Sequence, residues 1–107
     1  MKKFIDNMYI AIPTDDRKFI SEHFGKAKYF LIVDTLQGSK TLIENPHEKE
    51  ENELSGHGKL LKMLVENKVK KIFCFNINPK MEKNLNDLHI EISRVIEKTS
   101  IENILKE

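Results

Sequence analysis

The sequence predicts an α/β protein, a three-layer α/β/α sandwich, on three observations. Short, almost wholly apolar runs such as Met8 to Ile12 (MYIAI) and Tyr29 to Val33 (YFLIV) are too short for helices and too continuous for strands with one wet face. The second half of the chain alternates such runs with segments of helical periodicity, which predicts parallel strands joined by right-handed crossovers. The 107 residues suit one domain, which buries about 65% of its unfolded surface without disulfides or structural zinc.

Strand one is Met8 to Ile12, stopped by Pro13-Thr14-Asp15-Asp16. Strand two is Tyr29 to Val33, ending at Asp34, and Thr41 to Ile43 returns as strand three after Gln37-Gly38-Ser39, so the two make a hairpin. Asn45-Pro46 closes strand three, because proline lacks a donor and pushes its predecessor away from helical angles. Residues 47 to 54 (HEKEENEL) are charged and read as an exposed loop.

Leu60, Leu61, Leu64 and Val65 recur at helical spacing, which predicts a helix over 56–67 capped by Ser55. Strand four is Lys71 to Ile77 (KIFCFNI), followed by Asn78-Pro79 as cap and first residue of a helix that turns Met81, Leu85 and Leu88 inward. A fifth strand is expected near His89 to Ile92. Thr99-x-x-Glu102 reads as a capping box opening a last helix with Ile101, Ile104 and Leu105 inward.

Composition narrows the partners. Eighteen Lys plus Arg against seventeen Asp plus Glu supply no field to hold a polyanion, so nucleic acid is not expected. No apolar run approaches the ~18 residues that span a bilayer, so no membrane is expected either. The start, Met1-Lys2-Lys3-Phe4-Ile5-Asp6, lacks the apolar core of a secretory signal, and one cysteine makes no internal disulfide; a reducing cytoplasm is the expected compartment.

With strand one pointing up, strands three and four end at the same upper edge, where open α/β sheets bind ligands. The linkers there carry His23, His47 and His57, and Cys74 lies just below in strand four. Neutral imidazole and thiolate suit iron, copper, zinc and iron-sulfur centres, so these four are the candidate metal ligands. In Ser55-Gly56-His57-Gly58, the glycines at 56 and 58 let a backbone with free helix N–H groups come close to an anion. Against this, a lone loop histidine is more often solvated than ligating, and Cys74 in an apolar strand is more often a small buried hydrophobe. Gly56-x-Gly58 is neither a dinucleotide fingerprint nor a phosphate loop. His89 has no assigned role.

The stretches IAIPTDD (10–16), ISEHFGKAKYFLIVD (20–34), NPH (45–47) and GHGKLLKMLVENKVKKIF (56–73) together resemble the dinitrogenase iron-molybdenum cofactor biosynthesis family. This is the group of NifX-like proteins, also found as the C-terminal part of NifB and the core of the nitrogenase accessory carrier. The resemblance implies one nitrogenase accessory factor-like domain over residues 1–107. It also implies a ribonuclease H-like motif with a five-stranded mixed sheet, strand two antiparallel to the rest. The implied role is non-enzymatic binding or carriage of an iron-sulfur or iron-molybdenum-type cofactor or its precursor. Metal-cluster donor and acceptor proteins would be its partners, and the chain would be a monomer or weak homodimer.

His23 occupies the histidine of the family's Ser-x-His-Phe-Gly motif, with Ser21, Phe24 and Gly25 as turn-formers and wall and Gly25 expected to permit a tight backbone. Lys26, where the family commonly has arginine, would offset charge. Gly56 and Gly58 match the glycines that open the first long helix, and His57 between them rests on position alone. The chain departs from the family pattern after strand four, where Phe73 to Lys80 lacks the usual glycines, and at Leu88-His89, which replaces a usual glycine.

Two other functions compete. A module that keeps the fold without the cofactor would serve protein binding or regulation. A metal-dependent phosphodiesterase would need gathered carboxylates; Asp15, Asp16, Asp34 and Glu44 are available, but Asp34 is expected at the lower end of the sheet.

Overall fold

A computed structural model describes residues 8–46, 53–96 and 98–106, with residues 53–57 described by their backbone alone. The elements follow in the order β1 (Tyr9–Thr14), β2 (Tyr29–Asp34), β3 (Lys40–Glu44), α1 (Glu53–Glu66), β4 (Val69–Cys74), α2 (Pro79–Asp87), β5 (Glu91–Arg94) and α3 (Ile101–Lys106). They form one five-stranded sheet of order β3-β2-β1-β4-β5. β2 is antiparallel to β1 and β3, while β4 is parallel to β1 and to β5. This is the mixed sheet, with strand two reversed, that the sequence and the resemblance both led to expect.

The layers follow from alternation along each strand. Ala11, Phe30, Ile32 and Ile72 point to one face and pack with Leu60 and Leu64 of α1 and Met81 and Leu85 of α2. Ile10, Ile12 and Val33 point to the other and pack with Ile101 and Ile104 of α3. The hairpin β2–β3 turns at Gly38, whose φ of 81° suits a residue without Cβ, while the Asp34 carboxylate accepts the N–H groups of Leu36 and Gln37.

Several boundaries differ from the sequence reading. β1 runs through Pro13 to Thr14, because the β1–β4 ladder stops at Ala11 and the missing N–H of Pro13 breaks no bond there. β4 starts at Val69, which pairs with Tyr9, and ends at Cys74, where the chain leaves the ladder to meet the loop above. α1 reaches back to Glu53, so Ser55 lies inside the helix rather than capping it; glutamate and leucine are better helix formers than the two glycines that follow. Asn78 caps α2 as expected, its side chain accepting from the Lys80 N–H at 2.7 Å. For α3 the cap is Ser100, whose Oγ accepts from the Asn103 N–H at 3.1 Å, and not Thr99.

His89 precedes β5 rather than belonging to it. It ends α2 in the left-handed region, φ 61°, with the His89 N–H bonded to the Asn86 carbonyl (3.0 Å) and the Ile90 N–H to the Leu85 carbonyl (2.9 Å). This is the double bond pattern that usually employs glycine at the position of His89. A side chain there costs about 1 kcal/mol of backbone strain, part of which glycine returns through the greater freedom of its unfolded chain. His89→Gly is therefore expected to stabilise the protein by roughly 0.5 kcal/mol in urea unfolding; a loss of stability would show that the imidazole makes a compensating contact.

Candidate functional site

The upper edge of the sheet collects the C-terminal ends of β1, β3, β4 and β5 and the start of α2. α1 runs from the upper end of β3 down to the lower end of β4, so its N-terminal half also lies at this edge. Residues 15–28 cross it between β1 and β2. Such a segment has no ladder of its own, so every inward-facing backbone group needs a partner.

Some partners are main-chain groups, as where the Ser21 N–H donates to the Pro13 carbonyl (2.7 Å) and the Ile20 N–H to the Thr99 carbonyl (2.9 Å), and four polar residues supply others. Asp15 closes the neck of the loop: one carboxylate oxygen accepts the Lys28 N–H at 2.9 Å and the other the Ser21 hydroxyl at 3.0 Å. The buried Thr14 hydroxyl donates to the Phe19 carbonyl (2.7 Å) and accepts from the Arg17 N–H (2.9 Å). Asp16 accepts the N–H groups of Phe19 and Lys18, both at 2.9 Å, and these bonds hold its carboxyl below its ordinary pKa. Asn45, 1% exposed, reaches from the end of β3 into the turn, its side-chain amide donating to the carbonyls of Ala27 (2.7 Å) and Gly25 (3.1 Å) while its backbone N–H donates to that of Lys28 (2.9 Å).

His23 sits at the centre of this frame. The Phe24 N–H bonds to the Asn76 carbonyl (3.0 Å) and the Asn76 N–H to the Glu22 carbonyl (3.2 Å), so a one-residue parallel bridge grips the backbone on both sides of the histidine. Phe24 turns inward, fully buried and edge-on to Phe30 with ring centroids 5.0 Å apart, in the same cluster as Leu60 of α1. The His23 side chain is exposed. The frame therefore fixes the backbone and leaves the imidazole to solvent.

The other residues singled out in the sequence fare differently. Ser21 is buried, with its hydroxyl donating to the Asp15 carboxylate. Lys26 is exposed on the same loop. Gly25 has no positive φ, and a Cβ there would meet nothing within 4 Å, so the turn does not need glycine and the expectation of a tight backbone is corrected. Gly56, His57 and Gly58 lie within the first two turns of α1 and do not open it. A Cβ at Gly58 would likewise meet open space. The side chain of His57 and the whole of His47 lie outside the described residues.

Cys74 is fully exposed to the core and 0% exposed to water, and burial raises its thiol pKa. It behaves as a small apolar side chain, which corrects its place among the candidate ligands: a protonated thiol inside the core presents no thiolate at the edge. Among the described residues no three His, Cys, Asp or Glu side chains gather as a metal-holding group. Asp15 and Asp16 are at the upper edge while Asp34 pairs opposite Tyr9 at the lower end, so the carboxylates a two-metal hydrolase requires are not assembled.

Asn45, Asp15 and Asn76 are the contributors that sequence reasoning missed. Asn45 had a signal, an amide-bearing residue directly before proline at a strand end, but it read equally as a strand stop. Asn45→Ala orphans two inward carbonyls at about 1–3 kcal/mol each. It is expected to lower stability by roughly 2–4 kcal/mol in chemical unfolding and to speed amide hydrogen exchange at residues 24–28; a change within about 0.5 kcal/mol would refute the clamp.

Residues 6–107 match the family described as dinitrogenase iron-molybdenum cofactor. Among solved structures, a candidate dinitrogenase from Methanocaldococcus jannaschii is 31% identical, with a TM-score of 0.70 over 94% of this chain and 86% of that one. The apo form of the orange protein from Desulfovibrio gigas is 14% identical with a TM-score of 0.81, over 94% and 86% of the two chains, a likeness of fold alone. A candidate NifB protein from Thermotoga is 24% identical with a TM-score of 0.76, over 92% and 84%. No protein of curated function matches. The match spans almost the whole chain, and the chain belongs to the dinitrogenase iron-molybdenum cofactor family.

Proposed function

We propose that this protein is a small carrier that binds an iron-sulfur or iron-molybdenum-type cofactor, or its precursor, at the upper edge of the sheet, with His23 as a ligand. The single observation that carries this reading is the placement of His23. Its backbone is gripped by Asn76 on both sides and its neighbour Phe24 is buried, yet its imidazole is open to solvent. Rigid backbone under an exposed ligand is the arrangement that presents a donor to a large guest.

The chemistry agrees with an anionic cargo. Imidazole is a competent ligand for iron near neutral pH, and Lys26 on the same loop supplies a positive charge. The N-terminal ends of α1 and α2 add partial positive charge at the same edge. A single imidazole holds a cluster loosely, because metal centres of this kind take several ligands. Loose holding suits a carrier, which must surrender its cargo, and leaves the remaining positions to His47, His57 or the donor and acceptor proteins.

Protein reconstituted anaerobically with iron and sulfide is expected to show charge-transfer absorption that weakens several-fold in His23→Ala. Equal uptake by wild type and variant would remove His23 from the mechanism. Cys74→Ala is expected to leave uptake unchanged while costing roughly 1 kcal/mol of stability from lost core packing; loss of the absorption band in that variant would instead place the thiol at the cluster.

A further inference from the structure

Among the described residues, the face of the sheet that carries α3 is incompletely covered. Five strands at about 4.8 Å spacing put the outer strand axes roughly 19 Å apart, whereas one helix is about 10 Å across and the six residues of α3 span only ~9 Å. On the opposite face two longer helices, α1 and α2, share the work. α3 packs over β1 and the neighbouring residues of β2 and β4, and among the described residues no second helix lies beside it over β2 and β3. A trough of about 820 Å³ occupies that place.

Its chemistry is sharply two-part. Phe19, Leu31 and Leu105 line it with apolar surface, and Phe19 is 43% exposed. Leu42, paired across from Leu31, extends the apolar strip at 37% exposure. Around it stand the cations Arg17, Lys18, Lys40 and Lys106, against one acid, Glu102, among the described lining residues. Arg17 lies over the Tyr29 ring at 5.3 Å, and none of the four cations forms an ion pair with a described residue. In a chain with a net charge of only +1, this concentrates positive charge around one apolar slot.

We infer that this trough docks an acidic amphipathic helix of a partner protein, laid beside α3 as the second helix of that layer. Leucine-like residues on one face of the helix replace water over Leu31, Leu42 and Phe19, and flanking carboxylates meet Lys18, Lys40 and Lys106. Charge separates this occupant from others. The residues preceding Met8 (MKKFIDN) are themselves basic and would be repelled. An anionic bilayer presents a flat surface that cannot enter a concave slot, and a nucleic acid would set phosphates against an apolar floor. The partner contacts Arg17 and Lys18, which belong to the loop that bears His23, but docking does not depend on what His23 binds.

The test uses the whole protein and a synthetic helical peptide with leucines on one face and glutamates along its flanks. A charge-reversed peptide with lysines in place of the glutamates and vesicles of anionic phospholipid serve as comparisons. Amide NMR shifts on titration are expected at Phe19, Leu31, Lys40 and Ser100 to Lys106, and the charge-reversed peptide is expected not to bind. Affinity should drop with added salt and by about tenfold in the variant Lys40→Glu/Lys106→Glu, whose two positions are exposed and whose fold is checked by thermal unfolding. Four outcomes overturn the inference: indifference to peptide charge, unchanged affinity in the double variant, binding of vesicles but not peptide, or self-association of the protein alone that the double variant abolishes.

Discussion

The structure turns on the need of a loop that crosses the end of a sheet to satisfy its backbone hydrogen bonds away from water. Residues 15–28 have no strand partner for most of their length. Asp15 takes two donors, Asn45 supplies two to carbonyls and one from its backbone, and Asn76 both gives and receives around His23. Because these bonds are made from below and from the side, the loop can bury Ser21 and Phe24 while its outer surface, with His23 and Lys26, stays free. The site is thus a by-product of satisfaction: the residues that close the backbone account determine which side chains are left to meet a guest.

The fold was largely legible because strand burial writes itself into composition. Tyr29 to Val33 is apolar at every position since β2 sends Phe30 and Ile32 into one core cluster and Leu31 and Val33 toward the other, and the apolar spacing of Leu60, Leu64, Met81 and Leu85 names the faces that α1 and α2 bury. The boundaries were less legible where a residue acts against its habit. Pro13 continues a strand because no ladder bond is asked of it, and His89 takes a left-handed turn that the pattern reserves for glycine. Ser100, not Thr99, caps α3, a one-residue difference that both hydroxyls satisfy equally in sequence.

The candidate site was legible only at its tip. His23 stands out in a motif, whereas Asn45 and Asn76 act through main-chain partners far away in sequence, or across a non-consecutive strand, and such pairings leave no local signature. Cys74 shows the opposite error. A thiol near the edge in sequence is a ligand by chemistry alone, but alternation turns it to the core, where desolvation favours its protonated form. Gly25 and Gly58 share another feature, open space where a side chain would stand, so neither is demanded by the protein's own packing.

On the carrier reading proposed above, carriage and release place conflicting demands on a ligand set, and one exposed imidazole on a backbone held by Asn76 favours release. The central claim is that this imidazole bonds directly to iron of the cargo. Pulsed electron paramagnetic resonance on protein loaded with a paramagnetic cluster and carrying isotope-labelled histidine tests it most directly. The account predicts a hyperfine coupling to an imidazole nitrogen that disappears in His23→Gln. A coupling that persists unchanged in that variant, or a loaded wild-type cluster with no histidine nitrogen coupled to it, would contradict the account.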